Sequence, residues 1–140
     1  MPKKLSQTFA YLGIYLGCGL HVTLEYFPNS TSDDYIRDIL RTAPLGKKVT
    51  IHAVRKGNWQ DKNFGYMVEL PDEIKPLFKN KLHNIPHITV ETRGDAKPVD
   101  TWKAFTGDGK SQNCDKYFEG EITMFKLRSE ERFSRNAETD

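Results

Sequence analysis

The sequence predicts an α+β fold, and two observations lead to that prediction. Short apolar stretches bounded by Gly, Pro and Asn follow the order β-β-α-β-β-α-β-β. The chain also carries one five-residue pattern twice, His-aliphatic-Thr-aliphatic-Glu, at 21–25 and 87–91. At average composition a given histidine begins such a run with a probability on the order of one in ten thousand. The repeat therefore indicates an internal duplication in pattern.

The first half of the chain predicts two strands, a helix and a third strand. Residues 8–17 and 20–26 read as strands joined by a tight turn at Gly17 and Gly19. Thr31 or Ser32 is placed to cap a helix that Pro44 ends. Alternating apolar residues then predict a strand over 47–56, with Val49, Ile51 and Ala53 inward.

The second half predicts a similar order. A strand is expected over 64–70, and a helix is expected to begin at Pro71-Asp72 with an apolar stripe of Ile74, Leu77, Phe78 and Leu82. A strand at 86–92, a long loop at 93–116 with room for one short helix, and a last strand at 117–127 follow. Residues 1–127 are thus interpreted as one domain, and the polar residues 128–140 as a flexible tail.

Composition excludes several classes of protein. The net charge of +2 argues against bulk nucleic-acid binding, and no apolar run reaches the roughly 20 residues that span a bilayer. The amino-terminal residues do not resemble a signal peptide. Cys18 and Cys114 form no metal or redox motif and are expected to be reduced, buried thiols of a cytoplasmic protein.

The repeated pattern predicts a pair of acid–base groups. In a strand, residues two apart share a face, so His21 and Thr23 face one way while Val22 and Leu24 enter the core. The second copy predicts the same for His87 and Thr89, with Ile88 and Val90 inward. If the two strands lie side by side, two imidazoles and two hydroxyls surround one cleft.

Two imidazoles near neutral pH can divide proton transfer between them. A neutral ring removes a proton from an attacking hydroxyl, and a protonated ring gives one to the leaving oxygen. The threonine hydroxyls would donate hydrogen bonds to nonbridging phosphate oxygens. This chemistry needs no metal or other cofactor, and it suits a phosphodiester beside a free hydroxyl, as in RNA.

At these residues the chain resembles the two-histidine (2H) phosphoesterase superfamily. That group includes 2′-5′ RNA ligase-like proteins, cyclic phosphodiesterases and small phage anti-CBASS enzymes that degrade cyclic oligonucleotide messengers of bacterial immunity. Its signature is hydrophobic-His-hydrophobic-Thr/Ser-hydrophobic, once per lobe. Residues 20–24 match fully, and residues 86–90 match with Pro in the first place.

The resemblance implies a bilobal fold, two β-sheet lobes each with a helix and one His-x-Thr strand facing a central cleft. It implies that His21 and His87 are the acid–base pair and that Thr23 and Thr89 contact phosphate, without assigning base or acid. Only Cys18-Gly19-Leu20 separates the first strand from His21, which suggests a compact substrate and argues against ligase activity.

The implied function is that of a phosphodiesterase acting on cyclic oligonucleotides or RNA-like phosphodiesters, in the host cytoplasm if the enzyme comes from a phage. Tyr11 (or Phe9) and Trp59 are candidates for stacking on bases. Lys56 is a candidate phosphate contact, with Lys47, Lys48 and Arg55 near it in the sequence. A nucleotide is the expected partner, and neither a membrane nor an obligate protein partner is expected.

The sequence alone leaves other functions and other roles for these residues open. A 2′,3′-cyclic phosphodiesterase or RNA-end processing enzyme would use the same groups, and a non-enzymatic protein would sequester the nucleotide intact. Glu25 and Glu91 are read as solvated strand-end acids in preference to positioning groups, and a zinc site is disfavoured by the strand spacing. Trp59 is equally suited to packing in the core. Lys47, Lys48, Arg55 and Lys56 are equally suited to preventing aggregation at a sheet edge. His52 and His83 are expected at the surface.

Overall fold

The computed structural model describes residues 4–79 and 84–126. Within them, α1 spans Asp33–Thr42, and short 3₁₀ helices cover Leu5–Gln7, Lys75–Leu77 and Pro98–Phe105. The strands are β1 Phe9–Gly17, β2 Leu20–Tyr26, β3 Lys48–Trp59, β4 Asn63–Glu69, β5 His87–Thr92 and β6 Lys110–Lys126. No helix among the described residues is both long and apolar enough to cross a bilayer.

The six strands close into one antiparallel barrel with the order β1-β2-β5-β4-β3-β6. Its interior is filled by one face of each strand, because side chains alternate along a strand. The fully buried aliphatic residues of the strands are Leu12, Ile14, Val22, Leu24, Ile51, Ala53, Ile88 and Ile122. Each motif strand comes from a different half of the chain, and the two-lobed layout implied by the resemblance stays a prediction.

The first helix has the expected amino-terminal cap, and the structure selects Ser32 as the capping residue. The Ser32 hydroxyl accepts a hydrogen bond from the Tyr35 amide at 3.1 Å. Asp33 and Asp34 occupy the first turn, where carboxylates interact favourably with the helix dipole. Ile36 and Ile39 point into the core, so α1 packs against the barrel.

The turn between β1 and β2 confirms the glycine prediction. Gly17, Cys18 and Gly19 all have positive φ, of 89°, 53° and 80°, a region that favours glycine. The expectation that both cysteines are buried is wrong for Cys18, which this turn exposes to solvent. Cys114 is partly buried, and both thiols are free.

Three predicted elements differ from the structure. The second helix is reduced, in the described residues, to the 3₁₀ turn at Lys75–Leu77, because Pro76 cannot donate a helical hydrogen bond. Leu82 and His83 lie outside the described residues. The loop predicted at 93–116 contains a short helix, the 3₁₀ helix Pro98–Phe105, but the loop ends early because β6 begins at Lys110 and not at Tyr117. This part of β6 pairs with β3 and is largely polar, so it gives little alternating signal.

Val90 is the fourth difference. The pattern predicts it in the core, yet 48% of it is exposed. The pairing of β5 with β2 is confined to Ile88, and antiparallel counting puts Val90 opposite Leu20, the first residue of β2. On its other side, β4 matches Phe64 with Glu91 and Gly65 with Thr89, so Val90 is the extra, unmatched residue of a β-bulge.

Gly65 allows the 3₁₀ helix at Pro98–Phe105 to lie directly on the barrel. A Cβ atom at Gly65 would sit 2.1 Å from the Ile88 carbonyl oxygen and 2.7 Å from the Thr101 methyl carbon. We predict that Gly65→Ala lowers the free energy of unfolding by about 1–3 kcal/mol, the usual cost of overpacking. Gly107→Ala is the control, since a Cβ atom at Gly107 would have no neighbouring atom within 4 Å. Urea unfolding measures both, and equal stabilities for the two variants would contradict this packing.

Candidate active site

The two motif strands are neighbours in the barrel. Val22 of β2 and Ile88 of β5 are matched Cα partners in an antiparallel pair, and both are completely buried. Residues flanking a matched antiparallel pair match in reverse order. His21 is thus set beside Thr89, and Thr23 beside His87, all on the outer face. Cβ atoms are about 4.5–5.5 Å apart across such pairs and about 7–8 Å apart on the diagonal, which is the relation between His21 and His87.

The motif strands separate beyond Thr23 and His87. Pro86 has no amide hydrogen to donate to β2. The Leu24 carbonyl oxygen instead accepts from the Lys79 amide at 2.8 Å, while the Pro86 carbonyl oxygen accepts from the Val68 amide of β4 at 3.0 Å. The contact between the motif strands is consequently narrow, and it is centred on the histidines and threonines.

His87 is half-buried and oriented by the backbone. Its Nδ1 lies 2.9 Å from the Ile85 carbonyl oxygen. A carbonyl only accepts, so Nδ1 carries the hydrogen and Nε2 is the basic nitrogen of the neutral ring. Burial lowers the pKa of His87 below its usual value of 6.5, and the bond to Ile85 opposes that shift in part. Near neutral pH the ring is in the form that accepts a proton.

His21 lies against an aromatic cluster formed by Tyr11, Tyr15 and Phe125. Its ring centroid is 5.1 Å from that of Tyr11 and 5.3 Å from that of Phe125. Tyr11 and Phe125 stack on each other at 4.5 Å with an interplanar angle of 14°. Gly13 makes room for this stack, because a Cβ there would be 3.1 Å from the Phe125 ring and 2.6 Å from the Val22 carbonyl oxygen.

The two motif threonines have different surroundings. The Thr89 hydroxyl lies 2.8 Å from the Thr101 hydroxyl and 3.1 Å from the Pro98 carbonyl oxygen, both in the 3₁₀ helix that covers this strand. Thr23 faces Gly13 across the β1–β2 pair. Within residues 4–79 and 84–126, its hydroxyl forms no hydrogen bond. Of the two motif hydroxyls, that of Thr23 is therefore the one that no described residue occupies and that a ligand can bind.

The two motif glutamates also differ, and the solvated reading is wrong for Glu25. Its Oε2 accepts a hydrogen bond from the Tyr35 hydroxyl at 2.6 Å, and its Oε1 is buried with no partner among the described residues. Burial, together with this bond to Glu25, raises the pKa of Tyr35 to about 12, so Tyr35 remains a donor. Glu91 is exposed and pairs with Arg93 at 2.7 Å.

The candidate nucleotide-binding residues do not all lie near the motifs. Tyr11 lies beside His21, as given above. Trp59 is the last residue of β3, and its ring lies 4.4 Å from the Lys103 ammonium group, so it packs against the 3₁₀ helix. Lys56 is exposed on β3, matched with Tyr66 of β4. Tyr66 is in turn matched with Ile88 of β5, so one strand, β4, lies between Lys56 and the second motif.

The remaining basic candidates and His52 have structural partners. Lys47 and Lys48 pair with Glu73 and Glu121, and Arg55 bonds to Ser111 and Asn113 of β6. His52 is only half-buried, stacks on Tyr117 at 4.4 Å and bonds to Asp115 at 2.6 Å. Across the described ranges, no group of three or more His, Cys, Asp or Glu side chains has a metal-binding arrangement.

The sequence interpretation missed four residues at this site: Tyr35, Asn63, Thr101 and Phe125. Phe125 was detectable, since its alternation within the last strand places it on the outer face. Asn63 and Thr101 gave no signal, because both were read within polar loops whose position on the barrel is set by tertiary packing alone. No protein-family model matches the sequence, and no curated protein is significantly similar to it.

Removing the Tyr35 hydroxyl tests its role behind the first motif. We predict that Tyr35→Phe lowers the free energy of unfolding by about 1–3 kcal/mol, because Glu25 then has a second buried oxygen without a donor. Tyr26→Phe is the matched control, since Tyr26 is 66% exposed. Equal stability of both variants in urea unfolding would mean that Glu25 finds a replacement partner.

Acid conditions test the buried state of His87. The unfolded chain takes up this proton near pH 6.5, and the folded chain does so only at lower pH. The contribution to stability is therefore complete above about pH 6.5 and declines as the pH falls from there towards the lowered pKa, at no more than about 1.4 kcal/mol per pH unit.

We predict that the free energy of unfolding, measured in urea between pH 7.5 and 5.5, falls less steeply in His87→Gln than in the unaltered protein. Identical slopes for the two proteins would contradict the buried, neutral state of this ring.

Proposed function

We propose that this protein is a metal-independent phosphodiesterase of the 2H type that cleaves cyclic oligonucleotide second messengers or similar RNA-like phosphodiesters. The observation that carries the proposal is the pairing of Val22 with Ile88, which brings both His-x-Thr motifs onto one outer face. A phosphodiester lying across these two strands is flanked by an imidazole on each side. A role as a phage enzyme that destroys cyclic nucleotide signals of host immunity is part of the proposal.

His87 is assigned as the general base. Its Nδ1 hydrogen is held by the Ile85 carbonyl, its pKa is lowered by burial, and its Nε2 is the proton acceptor. In the proposed step Nε2 takes the proton of an attacking hydroxyl, either a ribose 2′-hydroxyl or water. The oxygen then forms its bond to phosphorus as the bond to the leaving oxygen breaks.

His21 is assigned as the general acid. The faces of aromatic rings attract cations within about 6 Å, and the Tyr11 and Phe125 centroids lie at 5.1 and 5.3 Å. In the proposed step, a protonated His21 beside these rings gives its proton to the leaving oxygen. One turnover leaves His87 protonated and His21 neutral, and exchange with water restores both.

Thr23 is assigned as a donor to a nonbridging oxygen. It lies beside His87 across the pair, and no described residue occupies its hydroxyl. A hydrogen bond that strengthens as charge grows on the phosphate oxygen lowers the barrier. Thr89 contributes in the same way only when its hydrogen turns from the Pro98 carbonyl towards the substrate.

The aromatic cluster supports a nucleotide substrate. Tyr15 is 45% exposed and lies 6.5 Å from Phe125, beside the stacked Tyr11. An exposed ring near the acid can stack on a base, which is worth about 1–3 kcal/mol per base. The tight Gly17–Gly19 turn next to this cluster leaves the face open and favours a compact substrate.

The test is incubation of the purified protein with cyclic dinucleotides, cyclic trinucleotides and 2′,3′-cyclic phosphate-ended RNAs, with products resolved by mass. We predict cleavage of a cyclic oligonucleotide, unaffected by EDTA, with a bell-shaped dependence of rate on pH. His21→Ala and His87→Ala should each lower kcat at least about 100-fold, as is usual for loss of an acid or base. His52→Ala, a histidine on a different face, is the control and should retain activity.

Three other results would change or overturn the proposal. Cleavage of RNA ends alone would replace the substrate class with RNA-end processing. Ligand recovered intact after denaturation of a stable complex would identify a sequestering protein. Substantial activity in folded His21→Ala or His87→Ala would contradict the two-histidine mechanism itself.

A further inference from the structure

We propose that Asn63 and Thr101 are positioning residues that fix the Thr89 hydroxyl as a hydrogen-bond donor to the phosphate. The inference rests on the proposed function. Asn63, Thr101 and Thr89 form one hydrogen-bonded chain that ends at the Pro98 carbonyl. Neither Asn63 nor Thr101 belongs to the repeated pattern, and both are completely buried.

The direction of every hydrogen in this chain is set by its two ends. The Asn63 Nδ2 amide nitrogen only donates, and it lies 2.7 Å from the Lys97 carbonyl oxygen and 3.3 Å from the Thr101 hydroxyl. The Thr101 and Thr89 hydroxyl oxygens are 2.8 Å apart, a distance at which either can donate. The Pro98 carbonyl oxygen, 3.1 Å from the Thr89 hydroxyl, can only accept. If it takes the single hydrogen of Thr89, Thr101 is the donor between the two hydroxyls.

This polarity matters for the ligand that Thr89 can meet. A hydroxyl that already accepts from Thr101 can offer an incoming group only its hydrogen, once that hydrogen turns from the Pro98 carbonyl oxygen. It therefore suits an oxygen that only accepts, such as a nonbridging phosphate oxygen. Hydrogen bonds in series also polarise one another, which makes the last hydroxyl a better donor. Without Thr101, Thr89 would be free to accept a hydrogen from a sugar hydroxyl or water.

The Asn63 amide orientation is costly, which supports a specific role. Its Oδ1 is buried and has no partner in the described part of the chain. Turning the amide round would place that oxygen against the Lys97 carbonyl oxygen, so the donors must face the chain. A buried oxygen without a donor is uncommon and calls for an explanation. The need for two donors at Nδ2 provides one.

The backbone holds Thr101 close to Thr89. Gly65 is the Cα partner of Thr89 in β4, and the Thr101 methyl carbon lies 2.7 Å from where a Gly65 Cβ would be. Only a residue without a side chain lets the 3₁₀ helix approach this closely. The relay is therefore built into the packing of the helix on the motif strand.

The experiment compares Thr101→Val, which keeps the shape but removes the hydroxyl, with Thr101→Ser, which keeps the hydroxyl. With the cyclic oligonucleotide that the unaltered protein cleaves, we expect Thr101→Val to lower kcat about tenfold with little change in KM, and Thr101→Ser to remain within about twofold. In a Thr89→Val background, Thr101→Val should cause no further loss of kcat, because its effect acts through Thr89.

Three results would overturn the positioning role. They are a kcat for Thr101→Val within about twofold of the unaltered protein, equal losses in Thr101→Ser and Thr101→Val, and a full additional loss in the Thr89→Val background. If the unaltered protein cleaves nothing in the panel, the proposed function fails first, and this role fails with it.

NMR of the unaltered protein tests the relay if Thr101→Val does not fold. We expect slowly exchanging hydroxyl protons for Thr89 and Thr101. A non-hydrolysable phosphorothioate analogue of the substrate should shift the Thr89 hydroxyl resonance and leave the Thr101 hydroxyl in place. A Thr89 resonance that does not move when the analogue is bound would overturn the proposal.

Discussion

The candidate site depends on one short contact between strands, the antiparallel match of Val22 with Ile88. The two side chains are buried inside the barrel, and this forces the histidines and threonines on either side of them outward. A shift of one residue in this register would turn the motif side chains inward and expose the aliphatic ones. Pro86 limits the pairing on one side, because it has no amide hydrogen for Leu24. The hydrophobic interior thus determines where the polar groups meet.

The same five-residue pattern acquires different chemistry in its two copies. His87 is oriented by a carbonyl and kept neutral by burial, while His21 lies against aromatic rings. The Thr23 hydroxyl forms no hydrogen bond within the described residues, while the Thr89 hydroxyl bonds to Thr101 and to the Pro98 carbonyl oxygen. A symmetric pattern in sequence has become a pair of unlike groups, which is what the proposed acid–base mechanism requires.

The local sequence pattern was sufficient to predict the parts of the fold that depend on strand alternation and helix capping. Strand alternation identified Val22, Ile51 and Ile88 as inward, and the polar residues before α1 identified its cap. The sequence pattern gave wrong predictions where tertiary contacts determine the structure. The polar first half of β6 is a strand because β3 pairs with it. Val90 is exposed at a bulge in the pairing of β5 with β4. The meeting of the two motifs followed from sequence only as a conditional statement, since nothing local specifies which strands are neighbours. The supporting residues Tyr35, Asn63 and Thr101 come from other elements and had no pattern of their own.

The proposed mechanism requires two imidazoles distant in sequence to act on one phosphorus atom. A crystal structure of the unaltered protein with a non-hydrolysable phosphorothioate cyclic dinucleotide tests this requirement. We expect His21 and His87 each to form a hydrogen bond to a different oxygen of the same phosphorus, with the Thr23 hydroxyl on a nonbridging oxygen. A nucleotide bound with its phosphate against one histidine alone, or on another face of the barrel, would contradict it.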